Sequence, residues 1–467
     1  MKRINFLIAT LLVAVMASAE AKYIFYFIGD GMGANQVLMT EMYLAELDGK
    51  IGRNQLLMTS LPFSGQLSTY SDSNGITDSS AAGTCLASGA KTTNGSLGVN
   101  SEGPAVTSIA SQLKEQGYGV GIMTSVSIDH ATPGAFYAHV PSRGSYYTIG
   151  TQLAESGFDF FGGASFIEPR DKKDATAENL YTLCEKNGYT FARGYKQGRE
   201  KAAEEDKLIL IQTHEGEDRG AAGSYLLPYA IDKTAEDLTL PEITEVGIRN
   251  LRAHHDKFFM MVEGGAIDWA CHGNDAATMV HEVVEFDEAI KVAYAFYKEH
   301  PDETLIVITA DHETGGCALG NYKYDLNLKA LASQKLSCAA LTDSLKAMRQ
   351  QYGKKLKWNM VKSFLTDNLG LYGEISIRPA EDVLLQKQFK QMMKNKGKDL
   401  KTLYKDIDGL SAAAVKLLNR KAMVGWTTYA HSASAVPVFS IGVGAEQFTG
   451  WHDNSEVAPL IMKATQK

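Results

Sequence analysis

Cysteine is scarce in this chain. Its 467 residues hold five, Cys85, Cys184, Cys271, Cys317 and Cys338, with no Cys-x-x-Cys pair. That excludes a disulfide-dense scaffold and a thiolate zinc finger as organising devices. Cys317 and Cys338 could pair near the start of an insertion, but solitary buried thiols are the simpler expectation. Long apolar runs are lacking too. The stretch from Phe6 to Met16 is too short for a comfortable membrane span, and no later segment is long and apolar enough to cross a bilayer. Nor is there an excess of positive charge: 46 Lys and Arg stand against 54 Asp and Glu, a formal net charge of -8. Nucleic-acid-specific binding therefore has no electrostatic footing, and a small-molecule substrate is the default.

What is present begins with Met1-Lys2-Arg3, the apolar stretch, and the small-residue series Ala17-Ser18-Ala19-Glu20-Ala21. This reads as a secretory signal peptide, cleavable after Ala19 or Ala21, and predicts a soluble protein exported to the periplasm or beyond the cell. The remainder, from residue 22 to 467, is long enough for one large catalytic domain with insertions. Five runs rich in β-branched and aromatic residues read as buried strands: Tyr23 to Ile28, Val120 to Val126, Phe258 to Val262, Leu305 to Thr309 and Val436 to Ile441. Helical stretches separate them. The expectation is an α/β fold, a doubly wound and mostly parallel sheet flanked by helices, with ligands beyond the carboxyl ends of the strands. Two stretches break the alternation, about 144–245, mixed and polar, and about 321–423, helical in pattern and lysine-rich. The second carries about 20 Lys and Arg against about 9 Asp and Glu, which suits a solvated helical cap. It has no histidine.

Four of the strands run into potential metal ligands. They are followed by Gly29-Asp30-Gly31, by Ile128-Asp129-His130-Ala131-Thr132, by Glu263-Gly264-Gly265 and by Asp311-His312. Asp268 and His272 follow the Gly-Gly turn at i and i+4, one face of a helix. Alone, such a pair suits a solvated polar face; next to Glu263 at the same sheet edge it suits a metal site. The Gly-rich turn at Asp30 lacks the G-x-G-x-x-G spacing of a dinucleotide fold. A further constellation is Ile76-Thr77-Asp78-Ser79-Ser80-Ala81-Ala82-Gly83-Thr84, in which Asp78 or a serine can cap a helix. A hydroxyl there also sits in the positive field of the helix N-terminus, where phosphate is held well. No histidine lies nearby in sequence to activate it, which leaves metals as the activator.

With Gly89-Ala90-Lys91-Thr92-Thr93-Asn94-Gly95 following, this segment resembles the nucleophile motif of alkaline phosphatases, and the motif order matches along nearly the whole mature chain. The resemblance implies hydrolysis of phosphate monoesters through a phosphoserine on Ser79, with two zinc ions and one magnesium ion per chain. It implies a first zinc on Asp268, His272 and His431, and a second on Asp30, Asp311, His312 and the Ser79 oxygen. Magnesium would take Asp30, Thr132 and Glu263, with His130 nearby. Arg143, in His139-Val140-Pro141-Ser142-Arg143, matches the arginine that grips two phosphate oxygens, and Asp78 the residue that orients it. Some bacterial members carry lysine and aspartate at the positions of Trp269 and His130. Family members are commonly homodimers, so a homodimer is expected here. A sulfatase or phosphodiesterase would share the metal-bearing architecture, but His139 replaces the oxidisable Cys or Ser of a sulfatase motif. A non-catalytic metal-binding or adhesive protein would not need the nucleophile and Arg143.

Overall fold

The computed structural model describes residues 20–212, 227–321, 323–394, 397, 399–402 and 405–466. The expected leader up to Ala19 lies outside the described residues. At the centre is a ten-stranded sheet. Its first eight strands along the chain are β1 (Tyr23–Ile28), β2 (Phe63–Ser68), β3 (Gly119–Thr124), β4 (Phe160–Gly163), β5 (Thr190–Arg193), β6 (Leu208–Ile211), β7 (Phe258–Glu263) and β8 (Thr304–Thr309). The spatial order is Gly450–Asp453, β2, Val436–Gly442, β8, β1, β7, β3, β4, β6, β5. From β8 to β5 every pairing is parallel; Val436–Gly442 runs antiparallel to both β8 and β2.

All five strands expected from composition are present, within two residues of the expected bounds. The central ones are apolar on both faces because helices cover them: β1, Tyr-Ile-Phe-Tyr-Phe-Ile, is buried at every residue. Each such Phe or Ile contributes about 1.5–3 kcal/mol by leaving water. Helix Leu240–His254 packs on β3, β4 and β7, and Ala276–Glu299 packs on β8. The 144–245 stretch departs from expectation. It continues the strand–helix alternation, supplying β4, β5 and β6, each only four residues long and so too short to stand out from its polar surroundings. All five cysteines are buried free thiols, so Cys317 and Cys338 are not paired.

Parallel register sets the site. Ile28 lies beside Glu263 and Thr309, and Glu263 lies beside Thr124, so β1, β7, β8 and β3 end in one row. The residues that follow these ends share one crevice. The lysine-rich stretch forms helices Cys338–Tyr352, Trp358–Leu369, Pro379–Met393 and Gly409–Lys421, spliced between His312 and His431.

Candidate metal and phosphate centre

The chain turns sharply where β1 meets the crevice. Gly31 has φ +71°, and a Cβ there would stand 2.9 Å from Asp268 Cα, so only glycine permits this close passage. The Gly31 amide donates to Asp311 Oδ1 at 3.1 Å, binding the end of β1 to that of β8. Asp311 Oδ1 also accepts from the His312 amide at 2.9 Å. His312 Nε2 then lies 3.2 Å from Asp311 Oδ2, 3.4 Å from Asp30 Oδ1 and 3.2 Å from Ser79 Oγ.

Ser79 opens helix Ser79–Ser88, with Asp78 as its N-cap. Asp78 Oδ1 accepts from the Ala81 amide at 3.0 Å; Oδ2 accepts from Ser80 Oγ at 2.8 Å and from Arg143 Nη1 at 3.1 Å. One carboxylate thus caps the serine-bearing helix and aims the arginine. Burial acts to raise Asp78, but the Arg143 guanidinium and these hydrogen bonds hold it below the usual carboxylate range. Arg143 Nη2 reaches to 3.4 Å from His130 Nε2.

Three buried groups each bring ligand atoms within 4.8 Å of one another: Asp268, His272 and His431; Asp30, Asp311 and His312; Asp30, His130 and Glu263. In the first, His272 Nδ1 faces the Tyr429 carbonyl at 2.6 Å and His431 Nδ1 the Thr77 carbonyl at 2.8 Å. A carbonyl only accepts, so both Nδ1 atoms carry hydrogens and the Nε2 lone pairs turn inward, 3.3 Å apart. Two acceptors at that distance, beside Asp268, form a seat for a cation. Antiparallel pairing of His431–Ser432 with Glu313–Thr314 brings the last histidine to the others, and its ring stacks on His312 at 3.6 Å.

Electrostatics point the same way. Asp30 Oδ1 and Oδ2, Glu263 Oε1, Asp268 Oδ2 and Asp311 Oδ2 are buried and accept no hydrogen bond among the described residues. So many buried carboxylate oxygens, crowded and short of donors, demand protons or cations. Burial first, then the neighbouring carboxylates, Asp311 acting on Asp30 and Asp268 on Asp311, push Asp30 and Asp311 well up. Burial pushes Glu263 up to about 7, against the Thr124 and Thr132 hydroxyls. Burial would raise Asp268 too, yet the imidazoles of His272, His431 and His312, when protonated in place of binding a cation, drive it strongly down. His130, buried and facing Arg143, falls to about 3 and is neutral. The donor set fits the implied metals: nitrogen-rich groups suit zinc, and carboxylates with a hydroxyl suit magnesium.

Sequence reasoning missed the residues that hold the ligands. Thr314 Oγ1 donates to Asp268 Oδ1 at 2.5 Å. Thr124 Oγ1 donates to Glu263. Glu313 accepts from Gln36 Nε2 at 2.7 Å, from the Cys317 amide at 3.0 Å and from Ser432 Oγ, tying helix Ala34–Leu47 to strands Glu313–Thr314 and His431–Ser432. The Glu313-Thr314-Gly315-Gly316 turn was the one visible signal. A fourth grouping, Asp159, Asp206 and His255, lies at the amino ends of the strands, where Lys114 Nζ already holds Asp159 at 2.6 and 2.7 Å.

A parallel α/β sheet whose carboxyl edge gathers buried carboxylates and imidazoles around a helix-capping serine and an aimed arginine defines a metal-dependent phosphoryl-transfer enzyme. The alkaline phosphatase family model matches residues 21–467, and the chain belongs to that family of phosphomonoester hydrolases. It is 30% identical over 462 residues to alkaline phosphatase 4 of Bacillus subtilis, an alignment covering 95% of this chain and 89% of that protein. Alkaline phosphatase 3 of the same organism is 29% identical, over 96% of this chain and 89% of its own length. The cold-active alkaline phosphatase of a psychrophilic Shewanella superposes with a TM-score of 0.78 at 27% identity, covering 95% of this chain and all of that one. Among the described residues no helix is long and apolar enough to cross a membrane.

Proposed function

We propose that this enzyme hydrolyses phosphomonoesters through a phosphoserine on Ser79, using two zinc ions and one magnesium ion per chain. The observation that carries the proposal is the convergence of Ser79 Oγ, His312 Nε2 and the Asp30 and Asp311 carboxylates, with Asp78 aiming Arg143 from the same helix cap. Asp268, His272 and His431 would hold one zinc, and Asp30, Asp311, His312 and the Ser79 oxygen the other; Asp30, Thr132 and Glu263 would hold magnesium, with His130 beside them. Bound there, the metals supply Lewis-acid charge that lowers the pKa of the Ser79 hydroxyl and steadies the departing alcohol oxygen on the flank of Asp268, His272 and His431.

Arg143 binds two phosphate oxygens through its planar fork and neutralises charge on the transferring group. Ser79 Oγ attacks phosphorus in line, the ester P–O bond breaks on the opposite side, and the alcohol leaves. Water then displaces Ser79 from phosphorus and returns the hydroxyl. The helix N-terminus favours the anion throughout. We place the leader's cleavage after Ala19, because Ala21 is buried, its amide bonded to the Ala464 carbonyl at 2.9 Å and its carbonyl to the Tyr118 hydroxyl at 2.8 Å. The chain from there is one catalytic domain, with 321–423 inserted, and forms a homodimer in the exported state.

Metal removal is the direct test. Exhaustive chelation should abolish phenyl phosphate hydrolysis, and zinc with magnesium should restore it. The pH dependence has a definite sign. Glu263 is raised from 4.5 to about 7 in the metal-free fold, so that fold keeps a proton the unfolded chain releases earlier. Its stability contribution is present below pH 4.5 and is lost as pH rises through about 7. Metal binding requires the deprotonated carboxylate, so the rise in Tm on adding metal should grow from pH 5 to pH 8. Full activity in protein stripped of transition metal would contradict the proposal.

A further inference from the structure

We infer that Ile76 and Tyr429 form an apolar rim on the leaving-group side of the centre and favour phosphomonoesters whose alcohol presents a flat apolar group, such as an aryl ring, beside the ester oxygen. This deepens the reading of Asp268, His272 and His431 given above and rests on it.

Most exposed apolar side chains are ordinary surface. These two differ in position. Ile76 is 41% exposed and precedes Thr77, whose carbonyl accepts from His431 Nδ1 at 2.8 Å. Tyr429 is 39% exposed, and its own carbonyl accepts from His272 Nδ1 at 2.6 Å. Two segments far apart in sequence therefore meet, through backbone carbonyls, the two histidines of one cluster, whose Nε2 atoms are 3.3 Å apart, and each carries one large exposed apolar side chain. In-line attack by Ser79 expels the alcohol on the side away from Ser79. Beyond His312, whose Nε2 meets Ser79 Oγ at 3.2 Å, the next rings are His431, stacked on His312, and then His272, 5.1 Å from His431.

Both segments are held firmly. The Ile76 amide donates to Asn74 Oδ1 at 3.0 Å and its carbonyl accepts from Asn94 Nδ2 at 2.9 Å. Tyr429 is bracketed by the Thr428 amide on the Gly315 carbonyl at 3.1 Å and the Gly315 amide on the Ala430 carbonyl at 2.9 Å. A rim fixed before binding loses little freedom on contact, so its apolar area favours a matching leaving group. Trp269, between Asp268 and His272 in helix Ala266–His272, has its ring 5.7 Å from that of His130, which in turn faces Arg143. It therefore bears on phosphate, whereas Ile76 and Tyr429 bear on the alcohol.

The test uses the zinc- and magnesium-loaded enzyme and its Ile76→Ser, Tyr429→Ser, Tyr429→Leu and Tyr429→Phe variants. The kcat/KM values for phenyl phosphate and glycerol phosphate are compared, and inhibition by inorganic phosphate is measured in parallel. A half-exposed apolar contact should give about a fivefold fall in the phenyl-to-glycerol ratio in each serine variant. Tyr429→Leu, which keeps bulk against misfolding, should fall between, and Tyr429→Phe should keep the parent ratio, with phosphate inhibition within about twofold throughout. An unchanged ratio in Ile76→Ser and Tyr429→Ser overturns the rim. So does a parallel loss for both substrates and phosphate, which would mean that the side chains only support the histidines. Activity that survives chelation in the parent overturns the metal reading and the rim together; a chelator-sensitive parent with an unchanged ratio overturns the rim alone.

Discussion

On the proposed mechanism, Trp269 is a single side chain expected to set product release. In the proposed mechanism Arg143 and the metals grip phosphate, and at the position where the family resemblance implies lysine in some bacterial members an indole stands here next to the neutral His130. Interactions that hold substrate and transition state equally do not raise turnover, and phosphate release commonly limits enzymes whose chemistry is fast. The missing charge should therefore weaken phosphate binding and speed release. Trp269→Lys is expected to show tighter inhibition by phosphate and, where release limits, a lower turnover number in steady-state kinetics. Unchanged or weaker phosphate binding in a folded variant would contradict this role. At the same scale, a neutral imidazole at His130 would hold the proposed hydrated magnesium less firmly than a carboxylate would, so magnesium should be the metal most readily lost on dialysis.

The helical insertion meets the rest of the molecule at several points, among them the Ser337 amide on Asp232 Oδ1 at 2.8 Å, the Lys329 amide on Glu46 Oε2 at 2.9 Å and a short junction at Asp275. Asp275 caps helix Ala276–Glu299 and accepts from the Thr278 amide at 3.2 Å, from Thr278 Oγ1 at 2.6 Å, from Gln334 Nε2 at 2.7 Å and from the Cys338 amide at 2.7 Å. Asn419 Nδ2 reaches the neighbouring Asn274 carbonyl at 2.6 Å. This junction lies two to three residues beyond His272, so the insertion is a cap rooted beside one of the proposed zinc ligands. Its helices contribute no residue to the three clusters at the carboxyl edge. Asp275→Ala would strand several buried donors, at a cost of about 1–3 kcal/mol for each left unsatisfied. Amides in 334–345 should then exchange hydrogen markedly faster while those of β1 and β7 keep their protection. Equal protection in both forms would show that the cap is held some other way. The sequence made β1, β3, β7 and β8 visible because their apolar runs are continuous, and their terminal carboxylates and histidines were legible as residue types following strands. It did not reveal β4 to β6, four residues each, or the junction at Asp275, because both depend on contacts between segments distant in sequence. The supporting hydroxyls of Thr314 and Thr124 were hidden for the same reason: a threonine's partner is set by tertiary packing.

Over the whole molecule, one parallel register does most of the functional assembly. Bringing Ile28, Glu263, Thr309 and Thr124 into a row gathers Asp30, Asp311 and Glu263 from sites nearly 300 residues apart, and the cap's return delivers His431 opposite Thr314. The crowded carboxylates and imidazoles are unfavourable in a bare fold, and this arrangement makes sense as a place where cations and a phosphoryl group are exchanged. Everything then converges on one oxygen, Ser79 Oγ, at the N-terminus of helix Ser79–Ser88 and 3.2 Å from His312 Nε2. The most direct measurement is the site of covalent phosphorylation during turnover. The zinc- and magnesium-loaded enzyme, mixed with excess inorganic phosphate and quenched in acid, should yield by peptide mass spectrometry a phosphoryl group on Ser79, absent from Ser79→Ala, which should also have lost nearly all activity. A phosphoryl group on another residue, or full activity in Ser79→Ala, would contradict the covalent mechanism.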